Sequence, residues 1–252
     1  MASAWLTARP IAHRGLHDRG KARIENTLAA ARAAIEAGFA IEVDLQLSAD
    51  EEVVVFHDES LDRLTEAHGR VDQTSLSALC AARLHGTSER IPTIYELLEE
   101  VAGRTPLFLE LKSAWNSERK LERQVAQALS GYSGQAAVMS FDPGSMRAMR
   151  RLAPQVPRGL VADRFAREDW PDIPAHQRFA LRHLLAASYV LPQFIAYDVA
   201  ALPASAPLML RHAFGLALLT WTVRTPADMA VAKHWTDQMI FEGFDPRMQR
   251  DA

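Results

Sequence analysis

The amino-acid sequence predicts an α/β fold, a TIM (β/α)8 barrel with a small insertion after the second strand, and three observations carry that expectation. The chain has 252 residues, the length of one such barrel. Seven or eight apolar, strand-like runs alternate with segments of helical periodicity, as expected for parallel strands joined by helical crossovers. Several of those runs carry or end in charged residues, and a barrel places its chemistry at the C-terminal ends of its strands.

The first strand passes through Pro10, Ile11 and Ala12 and ends at His13-Arg14-Gly15, where glycine lets a loop bring side chains and backbone close to a ligand. A helix follows over 25–38, with Asn26 as N-cap and Gly38 just past its end. The next strand, 40–47, is the most informative stretch. Its period of two sends Ile41, Val43 and Leu45 to one face and Glu42 and Asp44 to the other. Two neighbouring carboxylates in a core strand lose hydration and repel each other, so positive charge must face them, and a hard cation is the simplest source. After a polar turn, the run 53–56 returns as a hairpin strand and brings His57 towards the mouth that holds His13. Residues 59–92 read as a polar, irregular, lid-like insertion within one domain spanning 1–252.

Helical pattern resumes over 94–101 after a cap at Thr93. The strand 107–112 repeats the charged face, with Glu110 and Lys112 on one side. A helix over 117–129, a strand over 136–140, a helix over 145–152 and a short strand over 159–161 continue the alternation. A helix is expected over 176–187, and either 189–191 or 194–197 is the sixth barrel strand. A proline-interrupted helix within 200–212, a strand over 216–223, a helix over 226–235 and a last strand over 238–241 complete the count.

Composition narrows the function. A net charge of −3 and a pI near 6.3 give no basic field for nucleic acid or anionic lipid, which leaves small molecules as the expected partners. Cys80 is the one cysteine, so no internal disulfide or thiolate metal cluster can form; it reads as an inert buried residue. No apolar run approaches the roughly 20 residues of a membrane span, and the N-terminus lacks a signal-peptide pattern, so a cytoplasmic location without membrane insertion is expected. His13, Glu42, Asp44, Glu110, Lys112, Ser140 and Trp221 all fall at strand C-terminal ends. Three carboxylates among them suit one Mg²⁺ or Ca²⁺ with oxygen ligands rather than zinc. Ser140 and Phe141 read as turn and packing residues, and the remaining histidines, His17 included, as solvated surface groups.

Taken in order, His13-Arg14-Gly15, Glu25-Asn26, Glu42-Val43-Asp44, His57-Asp58, Leu61-Asp62-Arg63 with Thr65, Ile91-Pro92-Thr93, Glu110-Leu111-Lys112, Ser140-Phe141 and Trp221-Thr222-Val223 resemble the motif set of the glycerophosphodiester phosphodiesterases. The resemblance implies a TIM barrel that hydrolyses glycerophosphodiesters to glycerol 3-phosphate and an alcohol with a divalent cation. It further implies Glu42, Asp44 and Glu110 as metal ligands, His13 and His57 as general acid and base, Arg14 and Lys112 on the phosphate, and Trp221 as an apolar wall for glycerol. The alternatives are a phospholipase D- or C-type enzyme on the same barrel and a non-hydrolysing phosphodiester binder. Two departures stand out: Asp50-Glu51-Glu52 replaces a turn that usually holds glycine, and Glu242 stands at the end of the last strand where a threonine–aspartate pair is usual. The second is expected to reshape the strand-eight wall and substrate preference.

Overall fold

The computed structural model describes residues 3–248. In chain order the strands are β1 (Ile11–Ala12), β2 (Ala40–Leu47), β3 (Val53–Val55), β4 (Leu107–Leu111), β5 (Ala136–Ser140), β6 (Arg158–Ala162), β7 (Phe194–Asp198), β8 (Ala217–Val223) and β9 (Gln238–Phe241). Eight of them are parallel, and β1 pairs with both β2 and β9, so the sheet closes into the expected barrel. The ninth, β3, runs antiparallel to β2 with Leu45 opposite Val55, which is the hairpin read from the sequence.

The helices are α1 (Leu28–Ala37), α2 (Leu76–Ala81), α3 (Ile94–Val101), α4 (Lys120–Ser130), α5 (Pro143–Leu152), α6 (Ala175–Arg182), α7 (Ala187–Val190), α8 (Ser205–Phe214) and α9 (Pro226–Trp235). Local chemistry sets several of their ends. Thr93 and Glu96 form a reciprocal capping box on α3, and Thr225 and Asp228 do the same on α9, where Pro226 occupies the first turn. The alternation along β2 sorts the core. Ile41, Val43 and Leu45 pack outward with Leu97 and Val101 of α3, while Ala40 joins Ile11, Phe108, Phe194 and Ile240 inside the barrel. A 3₁₀ turn at Ala4–Thr7 plugs the lower end: Leu6 is fully buried and the Trp5 ring lies 5.8 Å from that of Phe108.

Four expectations are revised. The first helix begins at Leu28 and is capped by Thr27, whose side chain accepts from the Ala30 N–H; Asn26 instead has φ 59° and turns its amide inward. Residues 189–191 are not a strand: Tyr189 and Val190 end the short α7, and Phe194–Asp198 is the sixth barrel strand. Residues 59–92 are more ordered than expected, for Leu61, Leu64, Val71, Leu79, Leu84 and Ile91 form a separate cluster on Val54 and Phe56. Cys80 is half-buried there rather than buried.

Gly159 on β6 lets the Phe194 ring of β7 fill the barrel interior, since a Cβ at that position would be driven into the ring. Gly159→Ala is therefore expected to cost about 1–3 kcal/mol by overpacking. A thermal melt should show this as a fall in Tm of several degrees, about 2–4 °C per kcal/mol at this chain length; an unchanged melt would show that the ring can shift freely.

Candidate active site

The strands that carry the sequence-predicted residues converge on one cleft of about 970 Å³ at their C-terminal ends, lined by His13, Arg14, Glu42, Asp44, His57, Glu110, Lys112 and Trp221 among others. Barrel geometry explains the meeting. β1, β2 and β4 are adjacent, with Asp44 opposite Glu110 in register, so their inward side chains stack at one level.

Glu42, Asp44 and Glu110 are all buried, and one oxygen from each lies within 4.8 Å of the others. Their partners are unequal. Glu42 Oε2 accepts the Arg14 backbone N–H at 2.9 Å, but Oε1 is buried with no hydrogen-bond donor. Asp44 accepts from the Asn26 amide at 2.9 Å, lies 3.1 Å from Lys112 Nζ, and its own N–H donates to Asn26 Oδ1. Lys112 also donates to Glu110 at 2.8 Å. Burial, with the charges of Asp44 and Glu110, pushes the Glu42 carboxyl well above the usual carboxylate range. Burial acts the same way on Asp44, but Lys112, His57 and Arg14 outweigh it and hold that carboxyl well below. A buried, unsatisfied carboxylate oxygen beside two further acids is a donor set suited to a hard divalent cation.

Both histidines use Nδ1 to donate to a carboxylate. His13 donates to Glu242 at 2.6 Å, and its Nε2 lies 3.9 Å from Glu42 Oε2. Burial lowers the His13 imidazole below its ordinary value, partly offset by the bond to Glu242, so the ring is neutral near neutral pH with its free lone pair on Nε2. Glu242 in turn is fixed by Arg224 at 2.9 Å, with His17 Nε2 at 3.9 Å; desolvation opposes its ionisation, but these donors hold it far below the usual range. His57 donates to Asp58 at 2.8 Å. Asp58 is gripped by Arg63, which also donates to Glu25, and Glu25 accepts from Arg14 at 2.6 Å. Despite desolvation, the two guanidiniums lower the Glu25 carboxyl to about 2. The chain of ion pairs thus joins the loop of His57 to that of His13.

Arg14 has φ 54° and sits in a sharp turn whose next residue, Gly15, has φ 75° and presses against Ala30, where a Cβ would meet the Ala30 Cβ at 2.8 Å. The Arg14 guanidinium is committed to Glu25 and Asp44, yet its buried Nε has no aligned acceptor. Trp221 donates its indole N–H to the Ala196 carbonyl at 3.2 Å, and its ring meets that of Phe141 at close to a right angle with centroids 5.5 Å apart. Sequence reasoning left out Phe141, which lines the cleft, and placed His17 on the solvated surface, whereas it lies beside Glu242 and is mostly buried. It also gave no role to Glu25 or Arg63 and took Asn26 for a cap. The local signals for them were the Glu25-Asn26 pair and the Leu61-Asp62-Arg63 run of the motif set.

Fold and site together define a phosphoric diester hydrolase on a TIM barrel. The sequence profile of the glycerophosphoryl diester phosphodiesterase family matches residues 13–243, and the chain belongs to that family. It is similar to a glycerophosphodiester phosphodiesterase of Caldanaerobacter subterraneus subsp. tengcongensis, 35% identical over 170 residues that cover 64% of this chain and 69% of the relative. Among solved structures, an Oleispira antarctica phosphodiesterase in complex with the product sn-glycerol-3-phosphate superposes with a TM-score of 0.77 at 22% identity, covering 95% of this chain and 94% of that one. A glycerophosphodiester phosphodiesterase of Thermotoga maritima gives 0.69 at 24% identity, with 92% of each chain covered. At these identities the two structural likenesses speak to the fold.

Proposed function

We propose that this chain is one phosphodiesterase domain that hydrolyses glycerophosphodiesters to glycerol 3-phosphate and an alcohol in a cation-dependent reaction. The observation that carries the reading is the orphaned Glu42 Oε1 among three converging carboxylates, flanked by two histidines that each anchor Nδ1 on a carboxylate. Glu42, Asp44 and Glu110 would hold one divalent cation, Mg²⁺ or Ca²⁺. When bound, it supplies positive charge against a phosphate oxygen.

The other steps belong to the protein's own groups. Lys112, held protonated by Asp44 and Glu110 against the cost of its burial, and Arg14, whose buried Nε lies 3.3 Å from Asp44 without an aligned hydrogen bond, would offer donors to phosphate oxygens. A neutral imidazole can take the proton of the attacking hydroxyl at Nε2, and a second, protonated one can deliver a proton to the departing alkoxide. The Nδ1 bonds to Glu242 and Asp58 fix both rings so that Nε2 is the working atom. Trp221 would flank the glycerol. The altered strand-eight end gives His13 its carboxylate partner, Glu242, which favours turnover over the alternative of a non-hydrolysing binder. No helix among the described residues is long and apolar enough to cross a membrane. A small-molecule substrate and a cytoplasmic setting fit that and the single cysteine.

The test is release of glycerol 3-phosphate from a panel of glycerophosphodiesters with added Mg²⁺ or Ca²⁺, and with excess chelator. Release that chelator abolishes is the expected result. No release across the panel by folded, metal-supplied protein would overturn the reading.

A further inference from the structure

The cleft has a second half that the phosphate chemistry does not use. From Trp221 an unbroken band of rings climbs to the rim: Phe141 lies 5.5 Å from Trp221, Trp170 lies 5.2 Å from Phe141, and Trp115 lies 6.1 Å from Trp170. All four line the same cleft as the acid cluster. Trp115, with φ 54°, is 44% exposed at the rim, a large apolar surface left open where a ligand would cover it.

Two carboxylates, Asp163 and Asp169, line the cleft beside these rings. Asp163 Oδ2 accepts the Trp170 indole N–H at 3.0 Å, which fixes the ring and, by placing negative charge on its N–H edge, enriches its π-face. Neither acid forms an ion pair among the described residues; burial and Asp169 raise the Asp163 carboxyl from its ordinary value, while the N–H groups of Trp170 and Phe165 favour its ionised form. Of the cations nearby, Arg119 pairs with Asp142 and Glu122, Arg224 with Glu242 and Lys120 with Glu51 and Glu118, while Arg164 donates to the Ala200 carbonyl. This half of the cleft therefore offers aromatic rings and two carboxylates that form no ion pair among the described residues.

We infer that Phe141, Trp170 and Trp115, with Asp163 and Asp169, form the subsite for the alcohol part of the diester, with Trp221 between it and the glycerol, and that this subsite selects an alcohol bearing a quaternary ammonium group. The inference rests on the phosphodiesterase reading above and deepens it. A neutral polyol such as glycerol or inositol needs hydrogen-bonding groups that ring faces do not supply. An anionic headgroup meets two carboxylates. A primary ammonium is strongly hydrated and resists transfer onto a dry aromatic surface, whereas a quaternary ammonium is bulky and weakly hydrated and takes up the attraction of ring faces and carboxylates with little desolvation cost.

The test compares kcat/KM for glycerophosphocholine, glycerophosphoethanolamine, glycerophosphoglycerol and the 3,3-dimethylbutyl ester, which replaces the choline nitrogen by carbon at the same shape. Choline is expected to exceed its carbon isostere by about tenfold or more, the scale of one to two cation–π contacts. That ratio should fall towards unity in Trp170→Leu and in Trp115→Leu, the latter a rim position that can change without disturbing the core. Equal rates for choline and its isostere, ethanolamine turned over as well as choline, or a ratio retained in both variants would each overturn the inference while leaving the hydrolytic reading standing. If no diester is turned over, that reading fails instead, and quenching of tryptophan fluorescence by tetramethylammonium decides the subsite alone. Saturable quenching weakened in Asp169→Asn, which keeps every tryptophan, supports it, and its absence overturns it.

Discussion

Replacing His13 or His57 by alanine is expected to lower kcat by about two orders of magnitude or more, the usual scale for a positioned acid or base, with a much smaller change in KM. The reason lies in how each ring is held. His13 is anchored by Glu242 at 2.6 Å, and its other nitrogen faces the acid cluster, 3.9 Å from Glu42. His57 is anchored by Asp58, itself locked by Arg63. His57 is partly exposed, so His57→Ala should move a thermal melt little, whereas His13→Ala takes the Nδ1 donor from Glu242 and should lower Tm modestly. Glu242→Gln separates positioning from chemistry. The amide can accept the Nδ1 hydrogen only if its oxygen faces the ring, and it stabilises an imidazolium less than a carboxylate does. A smaller loss in kcat than in His13→Ala, with KM nearly constant, is therefore expected. Near-wild-type turnover in His13→Ala or His57→Ala would remove that residue from the mechanism, and a Glu242→Gln variant with full kcat would reduce Glu242 to a packing group.

These residues differ in how far the sequence exposed them. Glu42 and Asp44 were legible because a period-two strand pattern with acids on its core face has few physical explanations, and Glu110-Lys112 repeated it. The helix over 226–235 has the same bounds in the structure, where a capping box and a proline mark its start. Asn26 was misread because a side chain that can cap a helix can equally reach across to Asp44, and its φ of 59° is set by the turn that packs Gly15 on Ala30. Glu242 was visible as a departure, but its bond to His13 joins residues 229 apart in sequence through the β1–β9 pairing that closes the barrel. No local window contains that. Tyr189 and Val190 favour strand by propensity, yet tertiary packing makes them the end of a helix. The aromatic band is likewise tertiary, since its four rings come from the ends of four different strands or the loops after them.

Glu42→Gln is expected to abolish the thermal response to Mg²⁺ or Ca²⁺ along with the activity. In the wild type, a cation at about 100 times its Kd should stabilise the fold by about 2.7 kcal/mol, which at this chain length corresponds to a rise in Tm of about 5–10 °C. In excess chelator the variant should melt at or above the wild-type temperature. It removes a buried oxygen that no donor satisfies and relieves the mutual repulsion of Glu42, Asp44 and Glu110. An equal metal response in both proteins, or none in the wild type, would exclude Glu42 as a ligand, and this readout needs no turnover. Charge explains why the site should be built this way. Three carboxylates converge beside Arg14 and Lys112, and burial with the charges of Asp44 and Glu110 disfavours ionisation of Glu42. A divalent ion at this position would favour ionisation of all three acids and add the positive charge that a phosphodiester monoanion requires.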